Sequence, residues 1–318
     1  MLPHHSFELE PVAPLQLELT TWILRRRSSN SVDRWDGHTY RRVLMIDDEP
    51  IEVAVTQAGS PAAPCLSIHL NGRLAGPDME YPITAALERL LGIYVDLGQF
   101  YQSAQRSRSL AALVNQFCGS KPPRFPTYFE TLINAIACQQ VSVTVGILLL
   151  NGLAETYGPH LLVADGIFHA FPCPQDLANV DIEDLRQLGF SRQKASYVIE
   201  LAQSISRRQL SLIEIEALDD KAAVARLCRL KGVGRWTAEY FLLRGLGRTH
   251  VFPGDDVGAR NNPQRWLCLP NGLDYEGVHA ALAGWKGYGG LIYFQLLLQN
   301  LDEKKVIAPQ PASRTTLD

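Results

Sequence analysis

The chain has 318 residues, 46% of them apolar and 20% charged, with a formal net charge of −3. That is length for two domains and apolar mass for a real core. The slight acidity excludes a surface coated in positive charge for non-specific nucleic-acid binding, but not local phosphate capture by backbone N–H groups and helix N-termini.

No run of about 18 apolar residues occurs, so no membrane span is expected. The start, MLPHHSFELE, lacks the basic and apolar segments of a signal peptide, so the expected location is the cytoplasm. The six cysteines (Cys65, Cys118, Cys138, Cys173, Cys228, Cys268) include no C-x-x-C pair. They read as small buried hydrophobes rather than a disulfide framework or a zinc site. His4 and His5 read as a solvated terminus.

Residues 1–108 read as a small α/β domain with a curved antiparallel sheet. Leu15, Leu17 and Leu19 alternate, as do Val53 with Val55, and Leu66, Ile68 and Leu70. Asp36-Gly37 and Asn71-Gly72 are turn signals between such runs. A helix is expected over 82–97. Arg25, Arg26 and Arg27, with Arg41 and Arg42, read as a solvated edge that discourages strand pairing.

From 109 the β signal is lost, and residues 109–305 read as an all-α domain, followed by a tail at 306–318. The fold class is thus α+β. Pro122, Pro123 and Pro126 break the chain ahead of Thr127, which with Glu130 forms a capping box. Asp181, Ser191, and Asp219 or Asp220 cap three further helices. A last apolar helix runs from about Gly289 to Leu301.

The most informative stretch is Leu230–Asp256. A helix ends near Leu230, Gly232 supplies a left-handed residue, and Gly234 lets the chain turn at once into the next helix. Gly232, Gly234 and Thr237 then present N–H groups outward, where the helix dipole favours a phosphate, with Arg235 beside them. The same residues also suit a plain helix-turn-helix corner. Downstream, HVFPGDDV places Asp255 and Asp256 on a Pro-Gly loop, as a helix cap or as reactive carboxylates.

LKGVGRWTA followed by PGDDV resembles the helix-hairpin-helix (HhH-GPD) DNA glycosylase superfamily. NAIACQQVSV (134–143), LGFSRQKASYVIELA (188–202) and WKGYGGLIYFQLLLQ (285–299) extend the resemblance, which is to the AlkA type, DNA-3-methyladenine glycosylase II. It covers roughly 110–303.

The resemblance implies a base-excision enzyme acting as a monomer on double-stranded DNA that contains damaged bases. It implies that Asp256 is the catalytic carboxylate, stabilising oxocarbenium character at C1′ as an alkylated purine leaves. Bifunctional relatives carry a lysine where this chain has Trp236, so base release without strand cleavage is expected. With only Cys268 near the C-terminus, no iron–sulfur cluster is expected, and no cofactor is required. A monovalent cation, Na+ or K+, is implied at the carbonyls of Cys228, Leu230 and Val233.

The target base must leave the stack. Gln139 and Gln140 are the gap-filling candidates, with Gln140 where the AlkA type has an apolar wedge. The same glutamines would also serve as polar residues closing a helix. Tyr240 matches an aromatic pocket residue, or is core. Trp236 joins it in the pocket, and Leu297 stands where the AlkA type has a pocket tryptophan. The expected substrates are 3-methyladenine and 7-methylguanine, with hypoxanthine or ethenoadenine. An 8-oxoguanine enzyme of the same superfamily, or a non-catalytic hairpin protein, are the competing readings.

Overall fold

A five-stranded antiparallel sheet opens the fold, in a computed structural model that describes residues 2–163, 165–255, 257–269 and 272–307, except the side chains of Val257 and Ala259. Its strands are β1 (His4–Leu9), β2 (Arg34–Trp35), β3 (Thr39–Ile46), β4 (Glu49–Ser60) and β5 (Ala63–Asn71), in the order β1-β5-β4-β3-β2. Val53 sits opposite Leu70, and Val55 opposite Ile68. These pairs place branched apolar residues on the face that packs against a helix. The Asp36-Gly37 turn forms as expected: the Asp36 Oδ1 accepts the N–H groups of His38 and Thr39, and Gly37 has φ +101°.

Helix α1 (Leu17–Arg25) corrects the strand read from Leu15, Leu17 and Leu19. Its residues Leu17 and Leu19 to Arg25 are all buried, because it lies between the sheet and the C-terminal helices. Leu17 and Leu24 join the sheet's core, while Leu19, Trp22 and Ile23 join the helical one. The segment carries a helical pattern, but Leu15, Leu17 and Leu19 also alternate, and over so short a run the alternation reads as a strand. His4 and His5 are likewise not a free terminus. They belong to β1, and the His5 Nε2 lies 2.8 Å from a Glu80 carboxylate oxygen.

Helix α2 (Glu80–Leu91) covers the sheet with Ile83, Leu87, Leu90 and Leu91. It stops at Gly92 (φ +63°) rather than running to Leu97. Then come α3 (Gly98–Ala104), α4 (Arg108–Gln116), α5 (Tyr128–Cys138) and α6 (Val143–Tyr157). A hairpin of β6 (His160–Val163) and β7 (Gly166–His169) interrupts the helices, contrary to the expectation that strands end near 109. Asp165-Gly166, a turn dipeptide with Gly166 at φ +134°, was its signal.

The remaining helices are α7 (Pro174–Leu177), α8 (Ile182–Gln187), α9 (Arg192–Ser206), α10 (Asp220–Leu227), α11 (Arg235–Arg244), α12 (Val257–Trp266), α13 (Tyr275–Ala281) and α14 (Gly289–Glu303). The predicted caps hold. Asp181, Ser191 and Asp219 accept N–H groups from Glu183, Lys194 and Ala222. Thr127 caps α5 by accepting the Glu130 N–H at 3.0 Å. The Glu130 carboxylate does not close the box. It crosses to the sheet and takes two hydrogen bonds from the Arg42 guanidinium.

That guanidinium also donates to Asp33 at 2.7 Å, and Arg42 is only 1% exposed. Arg25 and Arg26 are buried too. Arg25 donates to the carbonyls of Arg27, Ser28 and Trp35. These arginines are therefore not a solvated edge. They satisfy carbonyls and carboxylates between the sheet and the helices, where unpaired charge would be costly. The six cysteines are free, and none is fully buried; Cys228 and Cys268 are exposed.

Candidate active site

The hairpin joins α10 to α11. The chain tightens through Leu230 N–H to the Leu227 carbonyl (2.9 Å) and Val233 N–H to the Leu230 carbonyl (3.1 Å). Gly232 has φ +78°, and a Cβ there would stand 2.2 Å from the Tyr197 ring of α9. Only glycine allows that approach. Gly234 caps α11 under a different constraint. It is exposed, and a Cβ on it would meet no atom within 4 Å. The space in front of it is open to a ligand, at the positive end of a ten-residue helix.

Of the other residues expected to hold phosphate, Thr237 is buried, and its hydroxyl accepts a hydrogen bond from Gln139. Arg235 is half exposed. Its Nε donates to the Asp255 Oδ2 at 2.6 Å, and its guanidinium lies 3.7 Å over the Tyr275 ring. It therefore ties the hairpin to the carboxylate loop. Asp256 itself lies outside the described residues. Its neighbours in sequence do not: Gly258 lines the cleft described next, and Asp255 takes the Arg235 contact.

A cleft of about 240 Å³ opens beside the hairpin helix. Trp236 and Tyr240, one helical turn apart on α11, line it together with the distant Leu297 of α14. The two rings lie 5.3 Å apart at 33°, so they form a tilted aromatic wall. Phe252 and Tyr293 extend the wall, meeting edge-on at 5.7 Å. Tyr240 is also core, at 3% exposed, with its hydroxyl 3.4 Å from the Asn134 Oδ1. The side chain is thus packed in the core on one side and lines the cleft on the other.

Sequence reasoning missed Arg26. It follows the last residue of α1 in a left-handed turn (φ +55°) and reaches the cleft. One Nη donates to the Asn134 Oδ1 at 2.8 Å and the other reaches the Cys138 Sγ at 3.8 Å, while its Nε is buried without a partner. Burial alone would lower the guanidinium pKa, but Tyr240, Cys138 and Tyr293 more than offset it and raise the pKa, so the charge stays. Within an Arg-Arg-Arg run, no signal singled it out.

Glu239 was also missed, although a carboxylate in the buried stretch TAEYFLL is a visible anomaly. It is 6% exposed, and the Tyr275 hydroxyl donates to its Oε1 at 2.5 Å. Burial raises its pKa from 4.5 to about 7, against the opposing pull of Tyr275, Arg235 and the Gly254 N–H. It lies behind the loop that carries Asp255.

Gln139 and Gln140 part company. Gln140 is exposed and left-handed (φ +53°). Gln139 is half-buried, and its Nε2 donates to the Gly232 carbonyl and the Thr237 Oγ1, both at 2.8 Å. Its amide is committed inside the protein. The hairpin residues Cys228, Leu230 and Val233 carry the carbonyls expected at a cation. That of Leu230 already accepts the Val233 N–H, which leaves it a second lone pair. Among the described residues, no cluster of three or more His, Cys, Asp or Glu side chains could hold a metal, and no helix is long and apolar enough to cross a membrane.

A second cleft, about 300 Å³, lies between the sheet and the helices, lined by Arg42, Arg89, Glu130 and Phe171. Its Arg42 and Glu130 are paired with each other, so it offers no reactive group of the kind found beside the hairpin.

Comparison with known proteins places these features in a family context. Residues 133–286 match the profile of the HhH-GPD superfamily base excision DNA repair proteins. The chain is 36% identical over 140 residues to the DNA-3-methyladenine glycosylase 2 of Escherichia coli, covering 43% of this chain and 48% of that one. Across curated relatives, the matched segment spans from 40% to 72% of their own length. Among solved structures, a 3-methyladenine DNA-glycosylase from Archaeoglobus fulgidus superposes with a TM-score of 0.81 at 24% identity, over 92% of this chain and 98% of that one. An 8-oxoguanine glycosylase/lyase of Clostridium acetobutylicum superposes with a TM-score of 0.77 at 17% identity, over 96% and 98%. The same fold thus occurs in structures named for different lesions, so the fold by itself does not select a substrate.

Proposed function

We propose, for a chain that belongs to the HhH-GPD superfamily of base excision DNA repair proteins through residues 133–286, that it is a monofunctional DNA glycosylase. It flips a damaged purine out of double-stranded DNA and releases it by hydrolysis, leaving an abasic site. The observation that carries this reading is the convergence of Trp236, Tyr240 and Leu297 on one cleft that Gly258, two residues past Asp256, also lines.

The chemistry follows from the residues. The hairpin's Gly232 and Gly234 turn lets a phosphate approach the first turn of α11, which fixes the backbone without reading sequence. The carbonyls of Cys228, Leu230 and Val233 are neutral oxygens that would hold a monovalent ion, Na+ or K+, and such an ion would add positive charge for the phosphate. The flipped base stacks on the Trp236–Tyr240 wall. Asp256 stabilises the positive charge that develops at C1′ and orients the attacking water. No amine stands at position 236 to capture the sugar as a Schiff base. Lys304 is the lysine among the described cleft-lining residues, on the exposed rim just past α14.

The substrate class is a purine altered by alkylation or deamination: 3-methyladenine, 7-methylguanine, hypoxanthine or ethenoadenine. Arg26 supports an order within that class. A guanidinium held charged at the cleft wall repels a cationic base and donates to the acceptor edge of a neutral one. Hypoxanthine and ethenoadenine are therefore preferred over 7-methylguanine and 3-methyladenine. The same reasoning makes 8-oxoguanine, also neutral, the second reading to test.

One assay separates these outcomes. Duplexes carrying 7-methylguanine, hypoxanthine, ethenoadenine or 8-oxoguanine are incubated with protein and split with and without alkali. Alkali-dependent cleavage that Asp256→Asn abolishes is expected. Cleavage without alkali, or trapping of a covalent adduct by borohydride, overturns the monofunctional assignment. DNA retention with no base released from any duplex overturns the enzyme.

A further inference from the structure

Between α5 and α6 the chain makes a tight, exposed turn. Gln139 ends α5 in an extended conformation (φ −61°, ψ 134°), Gln140 is left-handed at φ +53°, and Ser142 caps α6 by accepting the Val145 N–H. A left-handed non-glycine residue persists only where its surroundings over-determine it. Two side chains do so here.

The first is Gln139, whose single NH2 group serves both the Gly232 carbonyl of the hairpin and the Thr237 hydroxyl of α11. The carbonyl can only accept, so the amide orientation follows from chemistry. The second is Lys194 of α9. Its Nζ donates to the carbonyls of Ala137 (2.9 Å) and Gln139 (2.6 Å), groups that the end of α5 leaves without helical partners. Desolvation lowers the Lys194 pKa, as expected of an ammonium held against backbone. The same helix supplies Tyr197, whose ring packs under Gly232. The Gln140–Ser142 turn and the hairpin are thus braced against each other through Gln139, and both rest on α9.

We propose that Gln139 and Lys194 are positioning residues that lock the Gln140 turn to the hairpin, so that gripping the DNA backbone sets Gln140 at the gap left by the flipped base. This rests on the glycosylase reading above and adds how extrusion is coupled to backbone binding. Gln139 is then not itself a gap filler. Gln140, exposed and held in an otherwise unfavourable conformation, fills that role alone. The brace matters when a paired base must be forced from the stack, and matters little when the base is already loose.

The test compares one lesion in two settings: fully paired in a duplex, and opposite a gap beside a mismatch, where extrusion needs little energy. Single-turnover base release is measured for the wild type, Lys194→Met, Lys194→Arg and Gln139→Glu, with thermal melting to confirm folding. Lys194→Met is expected to slow release from the paired site by about tenfold or more while leaving the gapped site near wild type. Lys194→Arg, which still donates to carbonyls, is expected to restore most of the paired-site rate. Gln139→Glu, which cannot donate to Gly232, is expected to show the same paired-site loss. Equal slowing at both settings, or no slowing at either, overturns the brace. A wild type inactive in both settings instead overturns the glycosylase reading itself, and the brace with it.

Discussion

Glu239 makes the stability of this protein depend on pH in a direction opposite to that of most carboxylates. Its folded-state pKa is raised from 4.5 to about 7, so the folded protein holds the proton through a range where the unfolded chain has released it. Below pH 4.5 both states carry the neutral acid and there is no penalty. Between 4.5 and 7 the unfolded state binds fewer protons, and stability falls as pH rises. Above 7 the full cost of burying the anion is present.

A tenfold change in proton affinity corresponds to about 1.4 kcal/mol, so the interval from 4.5 to about 7 amounts to about 3.5 kcal/mol, or about 2–3 kcal/mol once water at the carboxylate edge is allowed for. Glu239→Gln keeps an acceptor for the Tyr275 hydroxyl, which donates to the Oε1. It removes the titration. Its amide nitrogen takes the place of an oxygen already buried without a partner, which adds a constant penalty at every pH. The informative quantity is therefore the change with pH. Urea unfolding of both proteins at pH 5 and pH 8 is expected to show the variant gaining about 2–3 kcal/mol on the wild type between the two. Every other titrating group is shared and cancels. Parallel stability profiles would refute the reasoning, because they would mean that Glu239 ionises as freely in the folded state as in the unfolded one.

Three further substitutions probe other parts of the argument. Gly232→Ala drives a Cβ into the Tyr197 ring at φ +78° and is expected to destabilise by about 2–4 kcal/mol, read as a lowered Tm. Gly234→Ala, at φ −95° with open space before it, is expected to change stability by only about 0.5 kcal/mol while weakening DNA binding about tenfold or more, read by titration at fixed salt. Equal losses at the two glycines would show that Gly234 serves the fold rather than the phosphate. Glu130→Ala leaves the Arg42 guanidinium, buried between sheet and helices, with Asp33 as its remaining ion partner. It is expected to cost about 3 kcal/mol in denaturant unfolding.

Much of the helical domain was legible because its signals are local. Ser191, Asp219 and Thr127 each accept an N–H within three residues, and such caps need no tertiary context. The two hairpin glycines were legible for the same reason, although their roles differ in a way only packing reveals. Tyr197 forbids a side chain at 232, and nothing forbids one at 234. What misled was burial on every side. In α1 apolar residues facing both the sheet and the helical core left Leu15, Leu17 and Leu19 to imitate a strand. In Arg25, Arg26 and Arg42 it turned charges that read as solvated into partners of carbonyls and carboxylates.

The sequence by itself determined the α+β class and the hairpin, because turns, caps and helical spacing are short-range and act wherever they occur. The pocket candidates Trp236, Tyr240 and Leu297 came from the resemblance and not from any such local pattern. Only the tertiary structure decided what those residues face. It brought Leu297 to the aromatic wall and Arg26 to the same cleft. It also spent the Gln139 amide on the hairpin and left Gln140 exposed. These outcomes depend on contacts between segments far apart in the chain, where burial and hydrogen-bond satisfaction assign each side chain its partner, and no local pattern encodes that assignment.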